Sequence, residues 1–172
     1  SINGITVFHP DSIRKNLFVP QVAITELLLF NQPVQVGITY NGFALPKSVI
    51  TTDEIILSYK ENVFTFEFSA LCFVNPEKHK YAYRLEGFNK EWIYTDAERR
   101  FATYTNLDPG SYVFQVKGSN HDLVWNEEGR SIKIVITPPW WRTTWAYISY
   151  SFLFLGILFS IRRFEKNRER LK

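Results

Sequence analysis

Nineteen consecutive residues, Thr143 to Ile161 (TTWAYISYSFLFLGILFSI), carry no charge, and Trp140-Trp141-Arg142 and Arg162-Arg163 bracket them. A helix of that length rises roughly 30 Å, about the hydrocarbon thickness of a bilayer. A transmembrane helix near the carboxyl end is therefore the first expectation. The residues before it carry the period-two patterning of strands, so a β-module is expected on one side of a membrane and a basic helix on the other.

Charge assigns the sides. The residues after Ile161 hold six Lys and Arg against two Glu, a net +4, while everything before them sums to −1. Basic residues close to a membrane end mark the cytoplasmic face, which places the tail inside and the β-module in the periplasm or outside the cell. Nucleic-acid binding by the basic tail competes with that reading, but no stacking aromatics or DNA-binding motif accompany the charges. Apolar residues make up 45% of the chain and aromatics 17%, enough for a packed core and too much for disorder.

Cys72 is the only cysteine, so no intrachain disulfide is possible. It falls in phase with the inward residues of a strand and is expected to be a buried small hydrophobe rather than a reactive thiol. No signal peptide opens the chain, Ser1-Ile2-Asn3 has the look of mid-protein sequence, and there is no methionine. An exported domain needs an export signal, so an excerpt of a longer protein is expected.

Along the chain, Ile5-Thr6-Val7-Phe8 is strand-like, and Pro20 with the apolar run Val22 to Phe30 opens a new unit. Strands follow at Glu54–Tyr59 and Val63–Phe73, where Phe64, Phe66, Phe68, Ala70 and Cys72 alternate with Thr65, Glu67, Ser69 and Leu71. Others are expected at Tyr81–Glu86, Trp92–Thr95, Arg100–Thr105, Tyr112–Ser119 and Ile132–Ile136, the last two joined through Asn120 to Gly129. Pro138-Pro139 ends the series. Seven or so short strands without helical periodicity predict a mainly β fold. Its form is an antiparallel β-sandwich of immunoglobulin or fibronectin-III type, followed by one transmembrane α-helix. At Pro109-Gly110, Pro fixes φ and Gly is expected to take φ > 0. Tyr112 then opens a strand, with its hydroxyl free to tie back to upstream backbone as a tyrosine corner.

The stretch Tyr81-Ala82-Tyr83-Arg84-Leu85-Glu86-Gly87-Phe88-Asn89-Lys90-Glu91-Trp92 carries a resemblance. So do Tyr104-Thr105-Asn106-Leu107-Asp108-Pro109-Gly110-Ser111-Tyr112, Lys117-Gly118-Ser119-Asn120, Trp125-Asn126 and Pro138-Pro139-Trp140-Trp141. Together they closely resemble the triple-tyrosine (Y_Y_Y) domain, with Tyr83, Tyr104 and Tyr112 as its name-giving tyrosines. The resemblance implies a module between a periplasmic β-propeller and a transmembrane helix, most often in hybrid two-component sensors that detect oligosaccharides. Residues 1–20 would then be the end of the propeller and a linker, 21–139 the sandwich, 140–161 the interfacial belt and inner-membrane helix, and 162–172 the start of a cytoplasmic signalling helix. None of His9, His79 or His121 lies in that tail, so none is a phosphoacceptor.

Trp92, Tyr94 and Trp125 are candidate sugar platforms, although packing with a polar tip explains the tyrosines and Trp92 better. Glu61, Glu67 and Asp96 show no metal-ligand or paired-acid spacing, and no nucleophile motif is present. No catalytic residue, cofactor or metal is therefore expected. Trp140 and Trp141, with Trp145, form an interfacial aromatic belt and, behind the stiff Pro138-Pro139 pair, a candidate signal-coupling joint. Ile157, Ile161, Phe164, Arg168 and Leu171 are spaced as an a/d seam that would pair two copies in parallel, leading into a kinase. Three readings follow: a relay module of a sensor kinase, a carbohydrate-binding sandwich on a membrane anchor, or the sensor part of a non-kinase regulator.

Overall fold

The computed structural model describes residues 15–40 and 42–170; the strand expected at Ile5–Phe8 and the seam position Leu171 lie outside them. Among the described residues, nine strands form two packed sheets. The first sheet has the order β2-β1-β4-β7 and the second β3-β9-β8-β5-β6. In chain order the strands are β1 (Val22–Leu29), β2 (Gln32–Pro33), β3 (Glu54–Ser58), β4 (Val63–Ala70) and β5 (Lys80–Glu86). They continue as β6 (Ile93–Asp96), β7 (Phe101–Thr105), β8 (Gly110–Gly118) and β9 (Arg130–Thr137).

Alternation in β4 delivers the core. Phe64, Phe66, Phe68, Ala70 and, just past the strand end, Cys72 are buried, whereas Leu71 and Phe73 face out. Phe66 stacks on Phe114 of β8 in the facing sheet, ring centroids 4.9 Å apart, and both side chains are wholly buried. Phe68 and Tyr104 pack around the same ring, and Ile24, Leu27, Leu57, Leu85, Ile132 and Ile134 complete the layer.

The sandwich departs from the antiparallel expectation at one edge. β3 runs parallel to β9, from Glu54 opposite Lys133 to Ser58 opposite Thr137. Segment 34–53 carries the chain from the edge of the first sheet across to the second, so β3 runs in the same direction as β9. Period-two alternation fixes which face of a strand is buried, not its direction, which is why the pattern could not reveal this.

β1 and β2 form a tight hairpin whose two central residues, Phe30 and Asn31, both have positive φ (51° and 63°). That is the backbone of a type I′ turn, where Asn and Gly are favoured. A bulky phenylalanine there carries roughly 1–2 kcal/mol of steric cost.

After β9 comes a single 3₁₀ turn, Trp140–Arg142, and then one long helix, α1 (Thr144–Arg170). Its first 21 residues, Thr144–Phe164, are long and apolar enough to cross a membrane, and that apolar stretch is not buried against the sandwich.

Because Phe66 is fully enclosed and stacked, Phe66→Ala should cost about 3–5 kcal/mol of stability. Chemical denaturation followed by near-ultraviolet circular dichroism checks this, and a loss below about 1 kcal/mol would mean that the cavity collapses freely.

Candidate functional site

The sandwich has two poles. The chain arrives at one along residues 16–20 and leaves at the other through Pro138 and Pro139. The turns 30–31, 59–62, 87–90 and 106–110 cluster at the departure pole. Asn106 and Asn62 join two of these turns, with Asn106 N–H donating to Asn62 O at 2.8 Å and Asn62 Nδ2 donating to Asn106 Oδ1 at 2.9 Å.

At this pole Pro139 is buried and Pro138 exposed. Trp141 sets its ring edge-on to Tyr59 at 5.3 Å and to Trp140 at 5.6 Å. Tyr59 follows β3, and its N–H donates to Thr137 O, the last residue of β9, at 3.1 Å. Thr143 Oγ1 donates to Trp140 O at 2.7 Å, and the amides of Arg142 and Thr143 donate to the carbonyls of Pro139 and Trp140. The joint between sheet and helix is therefore a packed, hydrogen-bonded turn. A shallow groove of about 350 Å³ lies between it and the Asn106–Pro109 turn.

That turn holds the tyrosine corner. Tyr112 Oη donates to Asp108 O at 2.9 Å. Its ring lies so close to Gly87 (φ +96°) that a Cβ there would come within 3.0 Å of it. Gly110 does not take the positive φ expected from the Pro-Gly pair. It opens β8, and Asn106 is the left-handed residue of this turn (φ 52°). Asparagine is among the residues that tolerate that region, and here its Oδ1 accepts from Asn62 Nδ2. Tyr104 is buried with its hydroxyl lacking a partner. Burial, then the nearby Tyr83 phenol, pushes its pKa well above the ordinary 10.0. Desolvation raises Tyr83 as well. Tyr112 is raised by burial first and by Asp108 second.

Trp92, Tyr94 and Trp125 are brought together on the outer face of the second sheet. Tyr94 meets Trp125 edge-to-face at 5.9 Å. Lys117 Nζ lies over both tryptophan rings, 4.9 Å from Trp92 and 5.5 Å from Trp125, and is paired with Glu127 at 2.7 Å. Arg84 covers Trp92 at 4.7 Å and donates from Nε to Gln115 Oε1. The indole faces are thus occupied by cations, a packing arrangement that leaves Tyr94 as the well-exposed ring.

The arrival pole contains two residues that sequence reasoning passed over as motif letters. Asn120 is completely buried and saturates both ends of its amide. Nδ2 donates to Asn16 O (2.7 Å) and Phe18 O (2.8 Å), while Oδ1 accepts from Asp122 N (2.9 Å) and Val124 N (3.0 Å). Asn126 Nδ2 donates to Pro20 O at 2.9 Å, and its Oδ1 accepts from Gly129 N at 3.0 Å. The incoming segment is clipped to the β8–β9 loop by two side chains. The available signal was the pairing of Ser-Asn and Trp-Asn inside a loop otherwise free of apolar periodicity.

Residues 72–137 match the family model of the Y_Y_Y domain. The chain is 33% identical over 169 residues, 98% of its length, to Histidine kinase P4 of Formosa agariphila, of which it spans 12%. It is similar to the extracellular domain of BT4673 from B. thetaiotaomicron, with 31% identity, TM-score 0.61, and coverage of 70% of this chain and 16% of that one. Two solved structures of that domain describe it, one as a putative one component system and the other as a putative hybrid two component system. A third, the extracellular domain of the putative hybrid two component system BT3049 from the same organism, has 30% identity and TM-score 0.55 over 71% of this chain and 16% of its own. The chain therefore spans a small part of the proteins it matches. Its residues 72–137 match the Y_Y_Y domain, and its β-fold is similar to that of the extracellular domains of those systems.

Two outcomes follow from the geometry. Asn120→Ala strands two amides and two carbonyls at the arrival pole and should cost roughly 2–3 kcal/mol in thermal or chemical unfolding, with the peptide around Asn16–Phe18 becoming protease-sensitive. Tyr104→Phe removes an unpartnered buried hydroxyl and should be neutral or slightly stabilising at pH 7. The raised tyrosines set the alkaline limit: folding favours the protonated phenol, so stability is full below pH 10.0 and falls as the pH climbs past it. Unfolding temperatures measured across that range should fall less steeply in Tyr104→Phe.

Proposed function

We propose that this Y_Y_Y-domain chain is the periplasmic relay and dimerisation module of a two-component sensor, joined to its inner-membrane helix. An oligosaccharide bound by an upstream β-propeller is sensed through the sandwich, and the signal passes to a cytoplasmic histidine kinase. Support for the sensor role comes from the family match, the histidine-kinase relative and the extracellular domains of the two-component systems. The observation that carries the relay is the departure-pole joint. With Pro139 buried and Trp141 on Tyr59, little slack separates β9 from a helix able to cross a bilayer. Movement of the sandwich is passed on instead of being absorbed.

In the proposed dimer, two helices meet along Ile157, Ile161 and Phe164, all exposed in the single chain. The ligand then acts only through its unequal affinity for the two arrangements of the pair. Domain limits of 1–20, 21–139, 140–161 and 162–172 belong to this proposal. A second reading, in which the output is not a kinase, is favoured by the description of BT4673 as a one component system. The protein sequence following Lys172 separates the two, because a kinase requires a His-Glu phosphoacceptor box within a few dozen residues.

Replacing Pro138-Pro139 by Gly-Ser in the full-length protein should weaken the ligand response of a reporter strain while leaving the amount of membrane-inserted protein unchanged. A response equal to that of the unaltered protein would defeat the relay reading.

A further inference from the structure

The departure pole ends in aromatic side chains where turns ordinarily present polar ones. Phe30 occupies the first central position of the β1–β2 turn at φ 51°, a conformation that disfavours it, and stays 38% exposed. Phe88 follows Gly87 at the tip of the β5–β6 turn, touches Tyr104 edge-on at 6.1 Å and is 58% exposed. Trp140, in the joint itself, is 73% exposed. Hydrogen bonds tie these tips to one end of the fold: Phe30 N–H to Val63 O at 3.0 Å, and Asn106 N–H to Asn62 O beside it. The basic residues at this end, Lys60, Lys90 and Arg142, stand against Glu61, Glu86, Glu91 and Asp108, a net −1, so the pole has no strong net charge.

Distance identifies what faces it. The candidate span opens at Thr144, and β9 closes at Thr137. Even fully extended, the residues between reach only about 20 Å, and a 3₁₀ turn packed on Tyr59 takes up part of that. An aromatic rim held this close to a bilayer would come within reach of its headgroups, where aromatic rings partition favourably.

We propose that the rim of Phe30, Phe88 and Trp140 seats the sandwich on the outer surface of the same bilayer that α1 crosses, with the two phenylalanine turn tips dipping between lipid headgroups. This rests on the membrane-spanning reading of α1. The partner is a lipid surface, and the contact is apolar rather than electrostatic because the pole carries no cationic excess. Such seating sets the tilt at which the sandwich meets the helix.

The test uses the whole chain in phospholipid nanodiscs, with a solvent-sensitive fluorophore attached to single cysteines introduced by Phe88→Cys, Lys90→Cys, Phe73→Cys and Leu153→Cys. Buried Cys72 is the background, measured on the unsubstituted chain. Lys90→Cys keeps Phe88 in place. Phe73, 92% exposed beyond β4 at the arrival pole, is the distant control. Labels at positions 88 and 90 should shift to the blue and be quenched several-fold more than the label at 73 by nitroxide carried on lipid headgroups. Equal quenching at 88, 90 and 73 overturns the proposal, as does protection from aqueous quencher without lipid quenching, which would report a protein contact. Leu153 separates the two readings. If its label escapes acyl-chain nitroxide, the span itself fails; if it is quenched while 88 and 90 are not, only the seating fails.

Discussion

The stacking of Phe66 on Phe114 is the contact on which the rest of the molecule depends. It joins the two sheets at their centre, and the aromatic rings of Phe68, Tyr83 and Tyr104 are arranged around it. The family match begins at Cys72, so β1 to β4 lie before it, including Phe66. The matched segment therefore supplies four of the five strands of the second sheet and the edge strand β7 of the first, while the remaining core comes from β1 to β4, ahead of the match. The physical folding unit is larger than the recognised one.

What could be read in advance was what burial alone dictates. The alternation through Phe64, Phe66 and Phe68 marked the inward face of β4, and an uncharged run marked the apolar part of α1. Strand direction was not legible at β3, because a pattern of inside and outside is the same whichever way a strand runs. The β1–β2 hairpin went unread because Phe30-Asn31 lacks the Asn-Gly signature of its turn. The Pro109-Gly110 pair announced a turn but misplaced its left-handed residue, which is Asn106.

The candidate site divides in the same way. Trp92, Tyr94 and Trp125 converge in space, yet the cations over the two indoles became visible only once Arg84 and Lys117 were placed on the same sheet face. Asn120 and Asn126 work through main-chain partners more than 100 residues away, contacts that carry no local periodicity. Polar side chains that satisfy distant backbone leave little trace in a sequence, although these two hold the incoming segment to the β8–β9 loop.

One further property follows from the position of β9. It lies between β8 and β3, paired along both edges, and the short packed joint 138–143 links its last residue to the helix. A pull along the axis of β9 would strain both ladders in shear, all rungs together, instead of peeling them apart one by one. A strand held that way yields only at high tension. If α1 spans a bilayer, tension from the lipid phase would therefore enter the sandwich through a strand held on both sides.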